Sequence, residues 1–268
     1  MKYKISEVSK MTGIPVDTIR YYETAGIVKP TRVNTYRYYS EIDVLNLLEY
    51  RKMRNYGMNM SEIKDFFQIT DMEQYAREFE RLEEKYAQAV RYYQALHKYA
   101  QQSVHTIREA AQGMGQYRLV TMPEKYYIHF YFHEEEGDEE ESDIWQCWIN
   151  EYYSLVEYLA IFKQENFILD VPKNECLWVN ALDKKVVEEL QIPLPTHVDV
   201  IPAHKAVYTV VEETGEDFYD LDVIDGVKQY LNAHQYQVAG DIIGKMISRI
   251  QDHGVERRYL GIWIPIES

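Results

Sequence analysis

The sequence predicts a multidomain chain of α plus α+β class, with a winged helix-turn-helix head, one long dimerisation helix and a duplicated β-β-α-β half. Three observations carry this prediction. Near the N-terminus, two short helical patterns separated by Gly13 precede a hairpin pattern at residues 31–40. Between residues 75 and 112, apolar residues alternate at spacings of four and three, which is typical of a coiled coil. Beyond residue 113, strand, strand, helix and strand patterns occur twice over similar lengths.

The second helical pattern, from Gly13 to Glu23, carries candidate DNA-reading residues. Pro15 suits the first helical position, because its missing N–H would be unpaired there anyway. One buried face is predicted from residues at helical spacing, namely Val16, Ile19 and Tyr22 or Glu23. The residues left pointing outward are Asp17, Thr18, Arg20 and Tyr21. Arginine can bind guanine or phosphate bidentately and hydroxyl groups reach phosphate oxygens, so this face suits the major groove. An ordinary surface helix is the alternative.

Four short motifs occur in the order seen in the MerR family of transcription regulators, which the N-terminal part therefore resembles. They are Ile5-Ser6-Glu7-Val8, Thr18-Ile19-Arg20-Tyr21-Tyr22-Glu23, Gly26-Ile27-Val28-Lys29-Pro30 and Tyr36-Arg37-Tyr38-Tyr39. The resemblance covers residues 3 to about 70 and implies a winged helix-turn-helix DNA-binding domain at residues 1–74. The promoter contacts that it implies are Asp17, Thr18, Arg20, Tyr21, Arg37 and Tyr38. Thr35 stands where the family has Gly, so we expect a wing turn of another type or one residue away.

Two capping signals predict further helices after the wing. Ser40 and Asn59 are each followed three residues later by an acid, which can return a hydrogen bond to the cap. The predicted buried faces are Val44, Leu45, Leu47, Leu48 and Met53 on the first helix, and Ile63, Phe66 and Phe67 on the second.

Residues 75–112 predict a coiled-coil helix that joins two copies of the chain. The predicted seam is Tyr75, Phe79, Leu82, Tyr86, Ala89, Tyr93, Leu96, Ala100, Ser103 and Ile107. A homodimer is favoured because one reading head covers only a half-site. The resemblance implies that the two helices pair antiparallel. The alternative is a single helix packed on its own chain.

The segment from Gln112 to Gly115 breaks the helix and marks the start of a third domain, residues 113–268. Strands are predicted at 117–122, 126–132, 176–181, 198–201, 205–211, 240–247 and 259–266. Helices are predicted at 142–162, capped by Ser142, and at 217–233, and the acidic run 134–141 predicts a solvated loop. This order, with the ending Tyr259-Leu260-Gly261-Ile262-Trp263-Ile264-Pro265-Ile266, resembles the GyrI-like effector-binding domain that multidrug-sensing MerR relatives carry.

An aromatic cleft in this third domain would suit a flat or cationic small molecule through stacking and cation–π attraction. The candidate ligand-binding residues are Trp145, Tyr152, Tyr208, Phe218, Tyr219 and Trp263, for which a core position is the alternative. Drug-sensing relatives place a ligand-facing Glu where this chain has Gly261. A less cationic aromatic ligand is therefore expected, unless Glu175, Glu212 or Glu213 supplies the carboxylate.

Composition bounds the remaining functions. Residues 1–70 hold 11 Lys and Arg against 8 Asp and Glu, whereas residues 113–268 hold 12 against 29, so the positive charge lies where DNA would bind. With only Cys147 and Cys176, and no paired His ligands, the sequence predicts neither a disulfide scaffold nor a metal site. No apolar run spans a bilayer and no signal peptide is recognisable, so we expect a cytoplasmic protein without membrane contact.

Together these features predict a ligand-responsive transcription regulator and not an enzyme, with no cofactor. The resemblance implies that a dimer bends and untwists promoter DNA on binding its effector, so that RNA polymerase can use the promoter. Two alternatives stay open for the third domain. It could hydrolyse a small molecule, or it could bind a protein partner.

Overall fold

A computed structural model of the chain describes residues 2–129, 139–168, 176–214 and 225–267. These residues form two compact units. The boundary between the units falls between Ala87 and Gln88, within one long helix, α5 (Met72–Gly113). Each unit has its own hydrophobic core. The predicted helix-turn-helix, long helix and α+β content are confirmed.

The first unit begins with a small sheet and a helix pair. Its elements before α5 are β1 (Tyr3–Lys4), α1 (Ile5–Thr12), α2 (Val16–Thr24), β2 (Thr31–Val33), β3 (Tyr36–Tyr39), α3 (Glu41–Asn55) and α4 (Met60–Phe66). The strands form a three-stranded sheet in the order β1-β3-β2. Gly13 closes α1 in the left-handed conformation, at φ 66°, so the turn into α2 requires glycine's freedom.

Local signals set most of these boundaries. Ser40 and Asn59 cap α3 and α4 with complete capping boxes, as predicted. Pro15 is the N-cap of α2 and not its first helical residue. The wing turn has its left-handed residue at Asn34, with φ 55°, one position before Thr35. Asparagine tolerates this conformation through its short polar side chain, so the family's glycine is not needed.

In the first unit, three residues that were predicted to be buried are exposed. Val8, Ile19, Tyr39 and Leu47 are fully buried. Leu45, Leu48 and Phe67, in contrast, are exposed. On α3 the buried residues recur at spacings of three, so Leu45 and Leu48 lie about 100° around the helix from that face. Phe67 stacks on Tyr50 at the surface, with ring centroids 4.4 Å apart.

In its described residues, the second unit contains an eight-stranded antiparallel sheet with helices packed on it. After α5 its elements are β4 (Arg118–Met122), β5 (Lys125–His129), α6 (Glu139–Cys147), β6 (Glu157–Phe162), α7 (Gln164–Ile168), β7 (Cys176–Asp183), α8 (Lys184–Leu190), β8 (Asp199–Ile201), β9 (His204–Glu213), α9 (Asp225–Ala233), β10 (Ile242–Asp252) and β11 (Val255–Pro265). A π-helical turn (Trp148–Tyr152) and a 3₁₀ turn (Tyr153–Leu155) connect α6 to β6.

The strand order of this sheet is β4-β9-β11-β10-β6-β7-β5-β8. The segments β4–β7 and β8–β11 use the same internal order, since β5-β7-β6 matches β9-β11-β10. Each segment's first strand pairs with the second strand of the other segment, as β4 with β9 and β8 with β5. The two segments thus exchange their first strands and meet at β6 and β10.

The predicted helix over 142–162 is wrong at both ends. The described helix already includes Glu139, so Ser142 is not its cap, and residues 157–162 form β6, which pairs with β7 and β10. Apolar residues at 145, 148, 152, 155 and 159 match helical spacing, but pairing on both sides draws Leu159 into the sheet, where it is fully buried. The helices α7 and α8 were not predicted.

Some predictions fall partly or wholly outside the described residues. These are the strand end at 130–132, the part of the acidic run at 134–138 and the helix start at 217–224. The rest of the acidic run, 139–141, belongs to α6, so the predicted loop is wrong there. Among the described helices, none combines the length and apolar content that crossing a bilayer requires.

Candidate nucleic-acid interface and ligand cavity

The outward face of α2 carries the predicted reading residues at the surface of the first unit. Tyr21 is exposed, and Thr18 is half-buried. The guanidinium of Arg20 donates from Nη1 to the Asp17 carboxylate over 3.0 Å, and both side chains are exposed. This ion pair holds the Arg20 side chain against the first turn of the helix and leaves other N–H groups free to donate to a phosphate or a base edge.

The wing is tied to α2 through Glu23. Arg37 donates from Nε to this carboxylate over 2.8 Å, and Arg32 donates from Nη2 over 2.9 Å. Arg37 and Tyr38 are half-buried. The ion pair between Arg37 and Glu23 holds the wing strand β3 against α2. Arg32 and Tyr36 are the more exposed wing side chains, and sequence reasoning missed both. The alternation of strand faces along residues 31–39 is the signal that could have found them.

The second unit contains a cavity of about 590 Å³ between the last part of α5 and the sheet. From α5 its wall includes Tyr99, Gln102, Ser103 and Thr106. The sheet contributes Met122, Lys125, Glu157, Leu159, Asp183, Lys245, Ile247 and Trp263. An adjoining cavity, also of about 590 Å³, shares Tyr99, Gln102, Pro123, Glu157 and Asp183 with the first.

Four charged side chains form a chain of ion pairs in the cavity wall. Lys125 Nζ donates to Glu157 over 2.7 Å and also binds Asp183, its cross-strand neighbour. Glu157 accepts a second ammonium group, from Lys245. Side-chain exposure is 7% for Lys125 and 8% for Glu157, against 34% for Asp183 and 25% for Lys245. The middle of this chain is therefore buried and its two ends reach solvent.

These neighbours keep both central groups charged. Burial by itself would raise the pKa of Glu157, but the Lys125 and Lys245 ammonium groups outweigh it and lower that pKa to about 2. Burial likewise opposes the charge on Lys125, yet the Glu157 and Asp183 carboxylates raise the pKa of its ammonium group. Glu157 is thus a permanently ionised carboxylate at neutral pH.

Sequence reasoning missed Glu157, Lys245 and Tyr99. Glu157 falls in the stretch that was predicted as helix, and the helical pattern did not indicate that its side chain is buried. Of the carboxylates proposed to replace a missing acid, Glu212 binds Arg257 over 2.7 Å and Glu213 lies 3.3 Å from Arg258. Neither lines the cavity, and Glu175 lies outside the described residues.

The structure separates the six predicted ligand residues. Trp263 lines the cavity, and its ring packs on Tyr208 with centroids 4.7 Å apart. Tyr208 is buried against Ala110 of α5 and does not line the cavity. Trp145 and Tyr152 belong to a core around Trp148, where they pack with α5 and α8. Phe218 and Tyr219 lie outside the described residues.

The space beside Gly261 is already filled. A Cβ added there would lie 2.8 Å from Tyr208 Oη, 3.0 Å from Tyr208 Cε2 and 3.1 Å from Trp263 Cη2. The Tyr208 and Trp263 side chains therefore occupy the space that a longer side chain at this position would need.

Gly261→Ala should lower the free energy of unfolding by about 1–3 kcal/mol, because it overpacks a filled site. Gly240→Ala is the matched control, since its Cβ would meet Pro265 at an ordinary 3.6 Å. Adding Tyr208→Phe removes the nearest atom and should recover part of the loss. Equal urea midpoints for Gly261→Ala and Gly240→Ala would contradict this packing.

The predicted coiled-coil seam is partly used within the chain itself. Leu82 and Phe79 pack on the core of the first unit, and Leu96 packs on a core of the second. Two members of the predicted seam, Tyr93 and Ile107, are exposed on the second unit's part of α5, together with Val90 and Val104, which the seam did not include. These four residues lie at heptad-compatible spacing on one helix face, with His97 and Ala100 between Tyr93 and Val104, and are called here the α5 stripe.

No group of three or more His, Cys, Asp or Glu side chains is placed to hold a metal ion within the described ranges.

Comparison with known proteins gives a family for the first unit. Residues 3–69 match the family described as "MerR HTH family regulatory protein". The chain is 36% identical over 66 residues to the HTH-type transcriptional regulator HmrR of Rhizobium leguminosarum bv. viciae, covering 24% of this chain and 51% of that protein. It is 32% identical over 90 residues to the ZntR homolog of Haemophilus influenzae, covering 32% of this chain and 67% of that protein.

The matched region is limited in length. The chain spans about half the length of the first curated relatives, 51% and 46%. Among solved structures, a chain of the EcmrR-DNA complex in EcmrR-RPo aligns over 99% of this chain and all of that one, at 16% identity and a TM-score of 0.34.

Proposed function

The chain belongs to the MerR family of helix-turn-helix regulatory proteins, and we propose that it is a promoter-binding transcription regulator controlled by a small molecule. The observation that carries the proposal is the course of α5. This helix leaves the family's DNA-reading head and continues, without a break, into the second unit, where its residues Tyr99 to Thr106 wall a cavity. A ligand in that cavity would touch the helix that leads to the head.

The proposed DNA contacts are the exposed face of α2 and the wing. Arg20, Tyr21 and Thr18 would meet base edges and phosphates in the major groove, with Asp17 orienting Arg20. Arg37 and Tyr38 would set the wing against the neighbouring backbone, with Arg32 as a further phosphate contact.

A homodimer joined through α5 is proposed because one head reads a half-site. The α5 stripe supports it, since four large apolar side chains on one helix face are exposed in a single chain. An antiparallel coiled coil would bury them.

The second unit is proposed to be a duplicated effector-binding domain of the GyrI-like type. The matching strand order of β4–β7 and β8–β11 supports duplication. A division at residues 1–74, 75–112 and 113–268 fits this function, with the central helix as the connection.

Effector binding would then change the angle between two heads on one promoter. Bending and untwisting a promoter costs on the order of a few kcal/mol, which the contacts of a dimer can offset. RNA polymerase would use the reshaped promoter and is the proposed partner there.

Hydrolysis is the weaker candidate for the cavity. Tyr99 and Glu157, a hydroxyl group and a carboxylate of the kinds that take part in proton transfer, both line it. Glu157 is bound by two ammonium groups and stays ionised, however, so it has no proton to donate near neutral pH.

Arg20→Ala tests the reading surface. It should weaken binding to a DNA site selected from a random library by about 1–3 kcal/mol, with little change in melting temperature. Arg77→Ala is the matched control, because Arg20 and Arg77 are 57% and 56% exposed and each pairs with one carboxylate of its own helix. Fluorescence anisotropy measures both. Equal affinities for the two variants would remove α2 as the reading helix.

A further inference from the structure

Among the described residues that line the cavity of the second unit, Lys245 has an ammonium group whose charge is only partly compensated. We propose that the effector is a molecule with an aromatic or other apolar body and an acidic group, and that Lys245 binds this acidic group. The inference deepens the proposed function and rests on the cavity being the effector site.

The buried carboxylate in the wall is not available to a ligand cation. Glu157 already accepts hydrogen bonds from Lys125 and Lys245, one on each carboxylate oxygen. A cationic ligand could reach Glu157 only by displacing one of these ammonium groups. Displacement would strand a lysine charge in a largely buried wall, at a cost that the ligand's own ion pair would have to offset.

The two lysines differ in how fully they are compensated. Lys125 lies between two carboxylates, those of Glu157 and Asp183. Lys245 shares Glu157 with Lys125 and has no carboxylate on either cross-strand neighbour, because Leu159 and Gly261 occupy those positions. An ammonium group has three N–H donors, and the ion pair with Glu157 uses one side of it.

Lys245 also faces the open space. Its side chain is 25% exposed and lines the cavity. Its Nζ lies 5.6 Å from the centroid of the Tyr99 ring, which positions the ammonium group beside an aromatic wall. A ligand carboxylate at this point would form a charge-assisted hydrogen bond with Lys245 in a partly water-excluded site.

The other residues of the cavity wall determine which kind of ligand body the cavity favours. Tyr99, Met122, Leu159, Ile247 and Trp263 supply apolar and aromatic surface around Lys245. Asp183 carries the competing negative charge in the same cavity. One of its carboxylate oxygens binds Lys125, and 34% of its side chain is exposed. A ligand cation held by Asp183 is the rival that the experiment must separate.

Three probes with one ring system test the proposal on the full chain: naphthoate, naphthylmethanol and protonated naphthylmethylamine. Titration calorimetry should show naphthoate binding about tenfold tighter than the alcohol, the scale of one charge-assisted hydrogen bond. Lys245→Met should abolish this preference, whereas Lys245→Arg should keep it. Lys163→Met is the control, because it removes an ion-paired lysine of the same unit, bound to Asp241 over 2.8 Å and outside the cavity.

The outcomes separate this inference from the function on which it rests. Tighter binding of the amine, or a naphthoate preference that survives Lys245→Met, would overturn the anion site and leave a ligand cavity in place. Binding of none of the three probes at millimolar concentration would overturn both the anion site and the cavity as an effector site. Melting curves for Lys245→Met and Lys245→Arg establish that each variant is folded.

Discussion

Replacing Glu157 with glutamine should lower the free energy of unfolding of the second unit by about 3–5 kcal/mol, because it leaves two lysines in a buried wall without their shared carboxylate. The amide can still accept a hydrogen bond but carries no charge. Urea unfolding followed by tryptophan fluorescence measures this unit selectively, since the four tryptophans, at 145, 148, 178 and 263, all lie within it.

Asp241→Asn is the control for Glu157→Gln. It also removes a carboxylate from a lysine, but the Lys163–Asp241 pair is exposed at 59% and 33%, so we expect a loss of at most about 1 kcal/mol. Comparable losses in the two variants would mean that the buried chain of ion pairs contributes no more than a surface pair.

Glu157→Gln should also change how the stability of the protein responds to acid. The pKa of Glu157 in the folded protein is about 2, below the ordinary value of 4.5. Its stabilisation is therefore complete above pH 4.5 and is lost as the pH falls from there to about 2. Over this window the stability of the native protein should fall more steeply than that of Glu157→Gln.

Val90→Asp combined with Val104→Asp should convert the proposed dimer to a monomer, because each aspartate would put a charge into the α5 stripe. Light scattering should then give the mass of one chain. A dimer that persists in this double variant would place the interface on another surface.

Val255→Asp is the matched control for the dimer experiment. Val255 and Val90 are the same residue type and are 51% and 54% exposed, but Val255 lies in the β10–β11 hairpin. The control should keep the mass of the native protein. Because the stripe residues face solvent in the single chain, neither change removes a contact within the protomer's own core.

The head was predictable from its sequence because its signals are local. Ser40 and Asn59 form capping boxes with acids three residues away, and Gly13 ends α1 through its own backbone freedom. Such interactions form between neighbours in the chain, so the pattern alone specifies them. The outward face of α2 follows from the same short-range periodicity.

The seam of α5 shows where periodicity stops being sufficient. The apolar spacing predicted a helix, and α5 is one. It also assigned Tyr93 and Leu96 to one seam, whereas Tyr93 is exposed and Leu96 packs on a core of its own chain; Val90, which the seam did not include, is exposed as well. A helix with apolar residues on two faces does not reveal which face its own chain will cover.

The sequence by itself determined the class of the protein, the caps and turns of the reading head, the long helix and most strands of the second unit. Tertiary structure alone decided the candidate ligand site. Glu157 is a buried strand residue because β6 pairs with β7 at this position and with β10 from Leu159 onward. Lys125 and Lys245 reach it from two other strands, and Asp183 binds Lys125 from a third. Residues separated by 32 to 88 positions meet there, and charge pairing over such separations depends on sheet order, which no local pattern encodes.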